Sequence, residues 1–530
     1  MVCKIFFGGK ILTMTGETPE AIMVQDGVVT NMGKRNDIFK LASSDTIHIN
    51  LHNTCLMPSF IDSHSHLSRY AISLRSANLS ECKNFDEIIK MLSDYKTSNH
   101  LKKGEWVVGF GYDHNNLEEK SHPTKECFDS VFPENPVLIS HVSGHMGVVN
   151  SQALKLANID AATKNVQGGM IGKDKNNEPN GYIEENTFFS VSSIIPQASL
   201  EEKIKLLKKA QKVYLQYGIT TVQDGMLGKD DFELLKIASI NHILVCDVVG
   251  YADLKKAPTL LSENPEYNKR YNDNLKLGGY KIFLDGSPQG RTAWLTKPYN
   301  KVSDSDSEDY VGYPVYKDDE IQNFIKIADS EDEQLLAHCN GDAAIQQFVK
   351  FCPEDGKMRP VIIHAQIMPI DALDEIKRKG IIPSYFVAHT YYWGDTHIEN
   401  LGFERAKKIS PAKSTLAKNI PFTFHQDTPV LVPDMMKTIW CAVNRKTKDG
   451  VTIGEYEKIS TFDALKAITI NAAYQYFEEN SKGTIEIGKK ADFVVLSQNP
   501  VDCQKEKLDK IQVLATYKNG MKVYQSDMAQ

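Results

Sequence analysis

The sequence predicts an α/β protein built on a (β/α)8 barrel, with a small β-sandwich made from both chain ends and a subdomain inserted after the first barrel strand. Three observations predict it. Short β-branched and apolar runs alternate with helical stretches, the pattern of a parallel sheet with crossover helices. The interval from about 70 to 218, between the first two runs, is far longer than the few residues of a usual βα connection, so it must hold structure of its own. Both termini read as short alternating strands, and neither piece is large enough to bury a core alone.

Taken in order, the first residues, MVCKIFFGGKILTMTG, read as a β-hairpin with Gly8-Gly9 at its turn, and they lack the charge and cleavage pattern of a signal peptide. Eight candidate barrel strands follow: LMPSFIDSHSH (56–66), ITTVQDG (219–225), HILVCDVVGY (242–251), GGYKIFLDGS (278–287), QLLAHCNG (334–341), RPVIIHAQI (359–367), GIIPSYFVAH (380–389) and IPFTFHQDTP (420–429). The long interval, about 70–215, is read as a subdomain over the barrel mouth. At the other end, KGTIEIGKKADFVVLSQNP (482–500) and IQVLATYKNGMKVYQ (511–525) return to short strands, with Asn519-Gly520 as a hairpin turn. The expected division is a barrel over 57–477 and a discontinuous sandwich from 1–56 plus 478–530. Apart from the acidic loop DSDSED (304–309) there is no low-complexity segment.

Composition excludes several classes. Lys+Arg 61 against Asp+Glu 68 leaves a formal net charge of −7, so no basic field favours nucleic acid. Short basic clusters such as Lys377-Arg378-Lys379 read as solvated helix faces. No stretch approaches the roughly 18–20 apolar residues needed to cross a bilayer, so a cytoplasmic protein without membrane contact is expected. Nine dispersed cysteines with no CxxC pair argue against a disulfide framework and a thiolate zinc site.

The chemistry begins at His64-Ser65-His66. In an extended strand, side chains at i and i+2 face the same way, so two imidazoles at this spacing can grip one ion. The other runs place similar residues near their C-terminal ends, where barrel loops converge: Lys281 in the fourth, His338 in the fifth, His364 in the sixth and Asp427 in the eighth. Each has a structural alternative. His338 or His364 can be a core histidine bonded to backbone, and Asp427 a strand-end cap or salt-bridge partner. Lys281 is harder to explain that way, because an ammonium inside an apolar strand is costly without a partner. Together the six can hold one or two divalent ions, with imidazole and carboxylate suiting zinc first, then iron, manganese or nickel.

At this point the chain resembles the amidohydrolase superfamily, and within it the branch of N-substituted formamide deformylases and related metal-dependent hydrolases. The motifs that carry the resemblance are MPSFIDSHSHL, GHMGVVNSQAL (144–154), GITTVQDG (218–225), GGYKIFLDGSPQGRTAWLTKPY (278–299), AHCNGDAAI (337–345), HTYYWGD (389–395), FHQDTPV (424–430) and GTIEIGKKADFVVL (483–496). The resemblance implies a distorted TIM-type barrel with a mono- or binuclear centre. His64, His66 and Asp427 would bind the more buried ion and His338 and His364 the more exposed one, with Lys281 at the position of a bridging carbamylated lysine.

The expected function is hydrolysis of a C–N bond in a small amide, formamide or N-acyl substrate. A metal lowers the pKa of bound water towards about 7 and polarises the carbonyl, while Asp427 serves as general base and then acid. The alternatives are an esterase or cyclic-amide hydrolase on the same centre, or a non-catalytic regulatory relative. Substrate contacts are expected from Gln289 and Arg291 in the turn 286–292, from His389 and Trp393 after strand seven, and from His145 in the insertion. For Arg291 the alternative is a structural role in the turn, and for the aromatic residues it is core packing. His425 shares the strand face of Asp427 and is expected to support the ligands, and a homodimer is among the assemblies expected.

Overall fold

The computed structural model describes residues 3–114, 116–142, 144–166, 169–300 and 308–527, so positions 304–307 of the acidic loop lie outside the described residues. The chain divides into two compact units, Met1–Tyr70 with Leu207–Gln530, and Ala71–Leu206.

In the first unit eight strands form one sheet in sequential order, each parallel to its neighbour. They are β1 (Phe60–Ile61), β2 (Ile219–Leu227), β3 (Asp247–Asp253), β4 (Leu275–Phe283), β5 (Gln334–Cys339), β6 (Val361–His364), β7 (Ile382–Tyr385) and β8 (Thr423–Phe424). This is the arrangement of an α/β barrel. The two edge strands meet through side chain and backbone: Ser63 Oγ donates to the Phe424 carbonyl at 2.9 Å, and the His66 amide to the Thr428 carbonyl at 2.9 Å. Alternate apolar residues, among them Val249, Tyr251, Leu336, Val361 and Ile363, pack in one cluster with Ala472, Ala473 and Tyr476. A parallel sheet covered on both faces needs such near-continuous apolar runs.

Two small sheets flank these strands in sequence. One has the order Val28–Gly33, Ala21–Gln25, Cys3–Phe7, Ile47–Asn50; the other Lys10–Ile11, Cys55–Pro58, Phe493–Leu496, Val513–Lys518, Met521–Gln525. Their shared core takes Phe6, Ile22 and Leu56 from the start of the chain and Phe493 and Tyr517 from its end. Burial of apolar surface therefore ties the two termini together. The second unit carries a six-stranded sheet whose neighbouring strands Val107–Tyr112 and Val137–His141 run parallel, over a core that includes Leu79, Val107, Phe128 and Ile139.

Several expected elements differ in detail. Gly8-Gly9 does not turn a hairpin: Cys3–Phe7 pairs with Ala21–Gln25, whereas Lys10–Ile11 pairs with Cys55–Pro58 in the other sheet. The two glycines make a corner between sheets, with Gly8 at φ +77° and no room at Gly9, where a Cβ would lie 2.5 Å from the Thr54 carbonyl. The run 56–66 is likewise two strands. Cys55–Pro58 pairs with Phe493–Leu496, and the chain then enters the barrel, the Ser59 amide donating to Asp492 and the Phe60 amide to Gly218. The third strand starts only at Asp247, and the seventh ends at Tyr385 before the helical turn His389–Tyr392. By contrast Asn519-Gly520, with φ of +47° and +70°, does join paired antiparallel strands.

Candidate metal centre

Because the eight strands are parallel, their C-terminal ends share one face of the barrel, and the side chains just beyond those ends converge. His64 and His66 follow β1 two residues apart. The Nδ1 of His64 lies 2.6 Å from Gln223 Oε1, and that of His66 lies 2.8 Å from the Gly225 carbonyl. The Gln223 amide is oriented by its own donor, Nε2, which gives hydrogen bonds to the Ser63 carbonyl at 2.8 Å and to Tyr476 Oη at 3.1 Å. Both imidazoles therefore carry their proton on Nδ1 and turn an Nε2 lone pair inward. Gly225 makes this possible sterically, since a Cβ there would come within 3.2 Å of His64 Cε1 and 3.4 Å of His66 Cε1. Gly225→Ala is expected to push both rings and weaken metal retention about tenfold, read by competition with a chelator, while the thermal midpoint barely moves.

Both Nε2 atoms point at Asp427, at 3.2 Å for His64 and 3.4 Å for His66 from Oδ1. That oxygen is buried and has no hydrogen-bond partner. Burial, and after it the Lys281 ammonium, lowers His64 to about 4, and burial also lowers His66, so both rings are neutral at physiological pH. Two lone pairs and a carboxylate oxygen thus face one another across a gap that a cation would fill.

Around this core stand the other residues. Lys281, at the end of β4, places Nζ 2.9 Å from His64 Nε2; it is fully buried, and burial drops its pKa to about 7 although Asp427 opposes the shift. His364 Nε2 lies 3.9 Å from Asp427 Oδ2 and 3.0 Å from His338 Nδ1. His338 is oriented through its other nitrogen, 3.2 Å from the Gly286 carbonyl, and by Phe283 stacked on its ring at 3.6 Å. His364 Nδ1 meets His425 Nε2 at 3.1 Å, and His425 Nδ1 meets Ser384 Oγ at 2.9 Å. Two of the central residues, His364 at φ +73° and Asp427 at φ +53°, adopt left-handed backbone that costs on the order of 1–3 kcal/mol each for a non-glycine residue. Strain of this kind persists where the surroundings over-determine a functional geometry.

The sequence profile of the amidohydrolase family matches residues 48–524. The chain belongs to the amidohydrolase family. It is 28% identical to "Putative amidohydrolase YtcJ" of Bacillus subtilis (strain 168), over 98% of this chain and 99% of that protein. It is 26% identical to an N-substituted formamide deformylase of Arthrobacter pascens, over 96% of this chain and 95% of the relative. The fold is similar to that of an uncharacterized metal-dependent hydrolase from Pyrococcus furiosus, with a TM-score of 0.75 and 24% identity, over 94% of this chain and all of that one. Family membership makes the chain a hydrolase, and the donor set described above suits the divalent metal that such hydrolases use.

The residues expected at the substrate are less closely gathered. Arg291 donates through Nη2 to the Asn300 carbonyl at 3.1 Å and lies over the Tyr299 ring, tying its turn to the segment that follows. The neighbouring Gln289 offers its carbonyl to Asn400 and keeps a buried Oε1. His389 is buried, 3.0 Å from His397, and with Trp393 it packs on Phe386, whose ring in turn meets those of His364 and His425. Phe386 thus touches both His389 and Trp393 on one hand and the central histidines His364 and His425 on the other. His145 belongs to the second unit, where it is 59% exposed and 3.2 Å from Glu185. Sequence reasoning missed Gln223, Gly225 and Ser384; the first two lie in the motif GITTVQDG at the end of predicted strand two, and Ser384 lies within predicted strand seven.

No helix among the described residues is long and apolar enough to cross a membrane.

Proposed function

We propose that the chain hydrolyses a C–N bond in a small amide, formamide or N-acyl substrate, on one or two divalent ions, zinc foremost. The observation that carries this reading is the buried Asp427 Oδ1, left without a hydrogen bond while two imidazole lone pairs point at it. His64, His66 and Asp427 would hold one ion, and His338 and His364 a second. Lys281 stands beside His64, where carbamylation would turn a costly buried amine into an anionic bridge. When bound, the ions supply Lewis acidity for the substrate carbonyl and make water acidic enough to react at neutral pH. Asp427 takes the proton of the attacking water and returns it to the departing nitrogen, so no acyl-enzyme forms. Gln223, Gly225 and His425 keep the imidazoles aimed during turnover. The deformylase among the relatives, aligned over nearly the whole chain, supports a formamide or amide over an ester.

The same reading divides the chain into a barrel over 57–477, a sandwich from 1–56 with 478–530, and an inserted subdomain over about 70–215. The deciding experiment is elemental analysis of purified protein followed by a panel of formamides, amides, cyclic amides and esters. Turnover of esters alone would overturn the C–N assignment. For Lys281, the expectation is that Lys281→Ala lowers both bound metal and turnover, and that a short-chain carboxylate restores part of each by entering the vacated space. A fully active Lys281→Ala protein would exclude the bridge.

A further inference from the structure

We propose a second site for a divalent transition-metal ion of the zinc type, held by Asp113, His114 and His141 in the unit Ala71–Leu206. The strands Val107–Tyr112 and Val137–His141 are parallel neighbours, and a register shift between Ser140 and His141 sets His141 opposite Tyr112. This irregularity advances His141 by one position towards the two residues that follow Tyr112. Three ligand atoms then face one another: His114 Nδ1 is 3.3 Å from His141 Nε2, His141 Nε2 is 3.5 Å from Asp113 Oδ1, and His114 Nδ1 is 3.8 Å from the same oxygen. A tetrahedral ion with bonds of roughly 2.0–2.1 Å holds its ligands about 3.3–3.4 Å apart. The His114–His141 and His141–Asp113 separations are close to the edges of such a tetrahedron, and the His114–Asp113 separation is about 0.4 Å wider.

The surroundings suit the task. His122 stacks on His114 with ring centroids 4.1 Å apart and is itself anchored through Nδ1, 2.9 Å from Tyr112 Oη, so the His114 ring is held in plane. Burial lowers His141, and burial with the neighbouring imidazoles lowers His122 to about 4. Two imidazoles and one carboxylate match a borderline-soft divalent ion better than Mg²⁺ or Ca²⁺, which prefer oxygen. The side chains of Asp113 and His114 are 27% and 28% exposed, which leaves a fourth coordination position open to water or an anion.

The test uses the full chain, loaded with Zn²⁺, freed of loosely held metal by gel filtration and analysed for zinc per protein. We expect His114→Ala to lose one equivalent relative to the unsubstituted protein. Asp113→Asn, which keeps the side-chain shape, should weaken one class of site at least tenfold in competition with a chromophoric chelator. Co²⁺ substitution should show the visible absorption of this class fall in both variants. Equal zinc content and equal affinity in all three proteins would overturn the assignment, and the isosteric Asp113→Asn keeps the test decisive if His114→Ala fails to fold.

Discussion

His64→Asn is expected to abolish metal retention and with it turnover. His64 is the most deeply set of the proposed ligands, wholly buried, with its Nδ1 committed to Gln223 and its Nε2 shared between Asp427 and Lys281. An asparagine amide is too short to replace the ring, and Asp427 and Lys281 would be left facing each other without the group that separates them. A metal contributes several kcal/mol of transition-state stabilisation, and each 1.36 kcal/mol is a factor of ten, so the loss in kcat/KM should be about 10³-fold or more. The measurement is kcat/KM against metal content in the same preparation. Removing metal from the unsubstituted protein with a chelator should give the same loss, reversed on reconstitution. Undiminished activity in metal-free protein would sink the proposed chemistry.

Asp247→Ala is expected to be the most damaging substitution for stability away from the centre. Asp247 begins β3, is buried, and its Oδ2 lies 2.5 Å from Lys482, 2.6 Å from Lys518 and 3.4 Å from Lys490. Lys518 also meets Asp492 at 3.0 Å, and Lys482 meets Glu478 at 2.6 Å, with Glu478 paired in turn to the buried Lys276. Burial alone would raise the Asp247 carboxyl, but Lys482 and Lys518 outweigh it and hold it well below the carboxylate range. Deleting it leaves three ammonium groups sharing too few anions. Breaking a buried network by removing one partner costs on the order of 3–5 kcal/mol, which should lower the unfolding midpoint by several degrees.

The network also sets a pH dependence. Burial favours the neutral form of Glu478, but Lys482 and Lys276 overcome this and depress it from 4.5 to about 2. A depressed carboxylate contributes stability that is complete above its unfolded value and is lost as pH falls through its folded one. Thermal melts between neutral pH and pH about 3 should therefore show the loss beginning near 4.5, and Asp247→Ala should flatten that slope. A variant with an unchanged midpoint and slope would contradict the role given to the network.

How much of the site was open to reading along the chain depended on where its information resides. His64, His66, Lys281, His338 and His364 sit at or just past strand ends, and both the strand pattern and the period-two spacing are local properties of sequence. Asp427 was found by the same logic although β8 is only two residues long and ends before it. Gln223 and Gly225 were not singled out, because a glutamine and a glycine carry no chemistry until the fold sets them against two imidazoles. Asp113, His114 and His141 escaped for a related reason: their meeting rests on one register shift between strands that are separated in sequence by a helix and loops.

By itself, then, the sequence determined the barrel, through eight apolar runs of parallel-sheet character, and the residue types at the C-terminal ends of its strands. Those follow from hydrophobic periodicity and strand polarity, which neighbouring residues set between them. Only the tertiary structure decided that Lys10–Ile11 leaves the first sheet for the second, which nitrogen of each imidazole points inward, and that Asp427 Oδ1 is buried without a hydrogen bond. Each of these depends on distances between atoms far apart along the chain, which packing alone establishes.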